Sequence, residues 1–175
     1  MFRSWSATKI VVLAALTALI TVLTFIKVPL VVTRGYVHLG DAGVYFAAFV
    51  FGPAVGGIAG GVGTMLADVL SGYAVFAPFT LVIHGLQGLA AGYLGYRKDL
   101  RRQLLGWAVG TGILVAGYFL AELGLFGVGP ALAETPFNLA QSAAGGLVAI
   151  PLAAAIRRAW PPIDTLVSPR AWEER

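Results

Sequence analysis

The sequence predicts an all-α integral membrane protein of six transmembrane helices, and three observations carry that expectation. The chain has 175 residues, of which 58% are hydrophobic and only 11% charged, whereas a soluble domain carries about a quarter charged residues. Its mean hydropathy is +0.84. Apolar segments of roughly twenty residues, the length that crosses a hydrocarbon core, recur along it, and the basic residues sit in short runs between them. These features leave no room for a separate soluble domain. The absence of cysteine excludes disulfides and thiolate chemistry. A net charge of +4 does not imply nucleic acid as a partner, because topology bias accounts for where the basic residues fall.

The spans follow in order as residues 10–26, 37–51, 53–73, 77–96, 104–123 and 137–156, within one domain over 1–158 and ahead of a polar tail over 159–175. The first is uncharged from Ile10 to Ile26 and lacks a small-residue cleavage site after it, so it reads as a helix and not a signal peptide. Within it Ala14 and Ala18 make a face on which another helix can approach closely. Pro29, Arg34 and Gly35 break the helix and predict a loop over Lys27 to Leu39. Gly52-Pro53 separates the short second span from the third, where glycines at 52, 56 and 60 and at 57 and 61 recur every four residues. Ser71 to Pro78 connects to the fourth span. Arg97 to Arg102 is the strongest charge cluster, and the fifth span behind it carries Ala108, Gly112 and Ala116 at four-residue spacing. Gly127, Gly129 and Pro130 predict a loop over Gly124 to Thr135 before the sixth span.

Orientation comes from the basic residues. With the N-terminus inside, Arg3, Lys9, Arg97, Lys98, Arg101, Arg102, Arg157, Arg158, Arg170 and Arg175 are cytoplasmic, and only Lys27 and Arg34 lie outside. Both termini are then expected in the cytoplasm.

The polar residues at membrane depth mark the candidate site, because hydrocarbon makes each one costly unless it is paired or lines a cavity. Thr80, His84 and Gln87 share one face of the fourth helix, and Asn138 and Gln141 share one at the start of the sixth. Asp68, Tyr73 and Glu122 fall near the same outer ends, with His38 and Arg34 in the first outer loop. Together they predict a wet pocket open to the outside. Each has a structural alternative. Asp68 and Asp41 can cap helices or pair with Arg34, His84 can bond between helices, Glu122 can form an interfacial ion pair, and Tyr36, Tyr45 and Tyr73 can anchor at the interface or stack on a ring. No P-loop, zinc-protease or nucleophile-elbow motif is present, and Gly61-Val62-Gly63 continues to leucine at 66. No catalytic residue, metal or cofactor is expected.

Taken together, Leu39-Gly40-Asp41, Phe51-Gly52-Pro53 with the glycine-rich helix to Asp68, Pro78-Phe79-Thr80, and Pro136-Phe137-Asn138 with Gln141 resemble the substrate-binding S components of energy-coupling factor (ECF) vitamin transporters. The resemblance covers nearly the whole chain and lies closest to the riboflavin or hydroxymethylpyrimidine branch. It implies a six-helix bundle that binds a vitamin or precursor in an outward-facing pocket capped by the first outer loop. It also implies a transmembrane coupling subunit, met through Ala14 and Ala18, and two cytoplasmic ATPase subunits in a prokaryotic plasma membrane. Trp5, Trp107, Trp160 and Trp172 all fall away from the outer half, so a tryptophan-rich pocket is not expected. A neutral heterocycle read by His84, Gln87, Asn138 and Gln141 is. The competing expectation is a self-contained secondary transporter or channel.

Overall fold

The computed structural model describes residues 7–30 and 35–166. Six helices run in order: α1 (Ala7–Phe25), α2 (Gly40–Phe51), α3 (Pro53–Leu70), α4 (Ala77–Gly95), α5 (Leu100–Phe126) and α6 (Val128–Ala159). Between α1 and α2 lie two short strands, β1 (Lys27–Leu30) and β2 (Gly35–His38), and after α6 comes a 3-10 turn over Pro161–Thr165.

Four helices, α1, α3, α5 and α6, are long and apolar enough to cross a membrane. Around the bundle, large apolar side chains such as Val11, Leu70, Leu120 and Leu147 are exposed, as expected for a surface solvated by lipid. The α4 helix matches them in length at 19 residues but carries Thr80, His84 and Gln87 inward. The α2 helix differs in kind. Its 12 residues rise about 18 Å, well short of the roughly 30 Å of a hydrocarbon core. Every residue of α2 but Ala42 is buried, because α1, α3, α4 and α6 enclose it. It is the central post of the bundle.

The two glycine rows of α3 serve two different neighbours. A methyl group at Gly56 would come within 2.6 Å of Ala48 Cα, and one at Gly60 within 2.9 Å of Val44, both on α2. At Gly57 and Gly61 the obstacles are the carbonyls of Gly85 and Leu81 on α4, at 3.0 and 2.5 Å. Helix α4 answers with Gly88, where a Cβ would sit 2.3 Å from Gly56 O. Backbones this close gain dispersion contact that side chains would forbid. On α5 the row that packs inward is Gly106, Gly110 and Gly117. Ala108, Gly112 and Ala116 instead line a groove toward α6, and Gly112 meets nothing within 4 Å.

Four sequence expectations change. The segment Lys27 to Leu39 contains an antiparallel hairpin, with Lys27 opposite His38 and Leu30 opposite Gly35. The predicted loop over Gly124 to Thr135 is almost entirely helix: the chain turns at Gly127 alone (φ 89°) and α6 starts at Val128. Pro130 falls in the first turn, where an amide hydrogen has no helical acceptor to lose, and Pro136 is accommodated inside α6. The tail is also less polar than expected at its start, because Ile163 of the 3-10 turn is buried against the core cluster that includes α2. Helix α5 begins earlier than predicted, at Leu100, with Asp99 as N-cap accepting from Arg102 N at 3.0 Å.

Candidate functional site

The site is built around Asp41, in the first turn of α2, where a carboxylate is favoured by the helix dipole. It is fully buried, and its Oδ1 lies 3.0 Å from Nε2 of the equally buried His84 on α4. Gln141 of α6 reaches Asp41 Oδ2 with its amide nitrogen at 3.5 Å, and its amide oxygen accepts the His38 backbone N–H at 2.9 Å. On the far side of His84, Nδ1 is 3.4 Å from the Tyr118 hydroxyl, which is 2.9 Å from Thr80 Oγ1. One chain of polar contacts therefore ties the hairpin to α2, α4, α5 and α6. His38 closes its own corner by accepting the Gly40 N–H on Nδ1 at 3.0 Å. Burial, with His84 and Lys27 adding to it against the pull of Asp41, pushes the His38 imidazole down to about 3, so the ring is neutral.

A second set of contacts fastens the hairpin to α3. The Tyr36 hydroxyl donates to Asp68 Oδ1, and burial followed by the Asp68 charge holds this phenol well above its ordinary range. The Tyr36 ring packs edge-on against Tyr73 at 4.6 Å, with Lys27 Nζ 4.5 Å from one ring and 4.8 Å from the other.

Between these two sets lies a small polar cleft, with room in this structure for little more than a water molecule. Strand β2 contributes Gly35, Tyr36 and His38, α3 contributes Asp68, and Phe76 and Thr80 come from the start of α4. Helix α5 adds Tyr118 and Glu122, and α6 adds Glu134, Asn138 and Gln141. A ligand of even one ring therefore enters only if the hairpin or its neighbours shift. Converging amides, hydroxyls and carboxylates on an otherwise apolar bundle suit a small polar ligand.

The comparison with known proteins is decided by one match. The family model for the S component of ECF-type riboflavin transporters covers residues 4–158. This chain belongs to that family. Its relatives include an uncharacterised protein from the gap 3′ region of Pyrococcus woesei, 39% identical over 74% of this chain and 88% of the relative. Another is the thiamine precursor transporter HmpT of Lactococcus lactis subsp. cremoris, 33% identical over 86% of this chain and 88% of HmpT. As an S component the protein is a membrane-embedded part of a vitamin transport system and not an enzyme.

Within this S component, the residues singled out from sequence separate into groups. His38, Asp68, Thr80, Glu122, Asn138 and Gln141 line the cavity. His84 and Gln87 are fully buried behind it. His84 is engaged with Asp41, and Gln87 lies in a deeper cluster where its amide reaches Ser142 Oγ at 3.5 Å and Ser142 meets the Tyr45 hydroxyl at 2.7 Å. The fourth helix therefore reads the cavity through Thr80, with His84 supporting it from behind. Tyr73 stands at the rim beside Tyr36. Arg34 lies outside the described residues, as do Trp5 and Trp172. Asp41, Tyr118 and Glu134 are the functional-site residues that sequence reasoning undervalued. The signal for Glu134 was present, since Glu134, Asn138 and Gln141 repeat the spacing of Thr80, His84 and Gln87, but the loop expected over 124–135 hid it.

Proposed function

We propose that the protein is the substrate-binding subunit of an ECF-type importer, and that it captures a small heterocyclic vitamin or vitamin precursor in the cavity beneath the hairpin. The observation that carries this reading is the buried convergence of Asp68, Thr80, Glu122, Asn138 and Gln141 at one end of an apolar bundle. Polar groups of this number are not spent at membrane depth without a ligand or a conduction path. The distribution of basic residues supports an outward-facing hairpin, six crossings and cytoplasmic termini in a prokaryotic plasma membrane. The thiamine precursor named for HmpT supports a vitamin precursor as the ligand class.

Energy for uptake comes, on this reading, from a separate coupling subunit and two cytoplasmic ATPases. Ala14 and Ala18 are exposed on the face of α1 turned away from Leu16 and Ile20, which supports them as the contact for the coupling subunit.

The test is to purify the protein, identify small molecules that accompany it, and titrate B vitamins and their precursors by calorimetry. Binding at submicromolar concentration by at least one is expected; none at micromolar concentration contradicts the proposal. Uptake that survives ATP depletion but not collapse of the proton gradient would favour a self-contained transporter. Uptake that persists unchanged in Ala14→Trp and Ala18→Trp would remove the assigned coupling face.

A further inference from the structure

The hydroxyl of Thr80 is used differently from most threonine hydroxyls in the bundle. Thr17, Thr21, Thr24, Thr64 and Thr135 each donate to the carbonyl four residues back in their own helix. Thr80, on the wall of the cleft and 2% exposed, instead meets the Tyr118 hydroxyl of α5 at 2.9 Å. Tyr118 continues to His84 Nδ1 at 3.4 Å, and His84 Nε2 lies 3.0 Å from Asp41 Oδ1. Three contacts in series therefore run from a carboxylate in the core to a hydroxyl at the cleft.

The hydrogens in this series can be counted. A carboxylate only accepts, so Nε2 of His84 carries a hydrogen toward Asp41. If His84 is neutral its Nδ1 is bare: Tyr118 donates to it, Thr80 donates to Tyr118, and Thr80 turns only a lone pair toward the cleft. A second hydrogen, on Nδ1, reverses every direction. His84 then donates to Tyr118, Tyr118 donates to Thr80, and the Thr80 hydrogen is left for the cleft. Each hydroxyl has one hydrogen to give, so the charge on His84 fixes the polarity that the cleft meets.

Two observations select the second arrangement. Asp41 is fully buried, and among the described residues it is paired with His84 and with no Lys or Arg. A carboxylate at membrane depth without a counter-charge is strongly disfavoured, and Lys27 Nζ stands over the Tyr36 and Tyr73 rings instead. On the cleft wall, Asp68 Oδ2 and Glu122 Oε2 are buried without a donor. The wall is short of hydrogens, not of lone pairs.

We infer that His84 is an imidazolium paired with Asp41, and that its charge orients Tyr118 and Thr80 so that Thr80 presents a hydrogen-bond donor to the cleft. Asp41 and His84 are positioning residues on this account, and a ligand is read at Thr80 through an acceptor atom. This rests on the binding role proposed above for the same cleft. The other ionisable groups facing His84 are Tyr118 from α5, His38 from β2 at 5.5 Å between ring centroids, and Asp68 from α3.

The chain has two histidines, so the full-length protein in detergent, labelled with nitrogen-15 histidine, gives two ring signatures by NMR that His38→Asn assigns. At neutral pH His84 is expected to show both ring nitrogens protonated, and Asp41→Asn is expected to return it to a ring with one. Affinity for the tightest ligand in a panel of B vitamins and their precursors is expected to fall about tenfold in Thr80→Val and in Tyr118→Phe, and to stay within about threefold in Thr80→Ser, which keeps the hydroxyl. Should Asp41→Asn fail to fold, the wild-type spectrum decides. A single protonated ring nitrogen on wild-type His84, or full affinity in Tyr118→Phe, overturns the inference and leaves the S-component reading intact. Binding of nothing in the panel overturns that reading and the role of Thr80 with it, while the spectrum still decides the charge on His84.

Discussion

At the hairpin end of α2, Asp41 is met by His84 and Gln141, and beyond them lie cavity carboxylates with oxygens left unmatched. At the opposite end the Phe49 carbonyl is met by Arg157, and among the described residues no buried side-chain polar atom there is left without a partner. Pro53 has no amide hydrogen, so the helical bond that Phe49 O would accept from residue 53 does not exist. Arg157 supplies it, with Nη2 2.6 Å from Phe49 O and Nε 3.1 Å from Asp164 Oδ1. Arg97 approaches the same carboxylate at 3.9 Å. Both ends of one buried helix are thus fastened by side chains from later helices, but only one end has polar capacity left over. Saturated polarity serves stability, and unsaturated polarity serves binding.

Substitutions at the two ends should separate these roles. The largest effect is expected for Asp41→Ala, which strands His84 in the interior and frees Gln141 from its orientation. Loss of one partner of a buried pair costs about 3–5 kcal/mol, so denaturation in detergent should show a large drop in stability and calorimetry a loss of ligand binding. Arg157→Ala is expected to cost about 1–3 kcal/mol by orphaning Phe49 O, with ligand affinity unchanged within about threefold. Affinity falling with stability there would mean that the ends are not separate. Tyr36→Phe removes the donor to Asp68 and should weaken binding about tenfold, a loss of about 1.4 kcal/mol, while the melting temperature stays close to wild type.

The smallest effect is a pH dependence at the hairpin. His38 is neutral in its buried place on the hairpin, with its imidazole at about 3 against 6.5 when exposed. A state in which this ring is exposed therefore binds more protons in that interval, and docking of the hairpin gains stability as pH rises. The contribution is complete above about 6.5 and lost as pH falls toward about 3. Ligand affinity should decline on acidification through this window, and His38→Asn should flatten the decline. A profile that His38→Asn leaves unchanged would place the titrating group elsewhere, with Asp41, His84 and Lys27 as the ionisable neighbours.

The order of the helices and the polar faces were legible in the sequence because hydrocarbon penalises polarity, so each exception stands out. The glycine spacing on α3 showed close packing, but only the structure distributes Gly56 and Gly60 to α2 and Gly57 and Gly61 to α4. Local breakers misled at Gly129, Pro130 and Pro136, because a proline in the first turn of a helix costs little and a membrane helix tolerates one inside. That error concealed the Glu134, Asn138 and Gln141 face. Periodicity alone also could not say which polar residues touch the cavity and which stand behind it. Asp41 and His84 satisfy each other across two helices, and such pairing depends on tertiary contacts that spacing does not encode.

The most direct test of a binding end and a stability end is to measure the affinity of the tightest panel ligand, alongside unfolding, in Asn138→Leu and Arg157→Gln. Asn138→Leu should lose about 100-fold or more in affinity, as expected when a polar recognition group is removed, with its stability retained. Arg157→Gln should lose stability with its affinity retained. Equal losses of both quantities in the two variants, or full affinity in Asn138→Leu, would contradict the account.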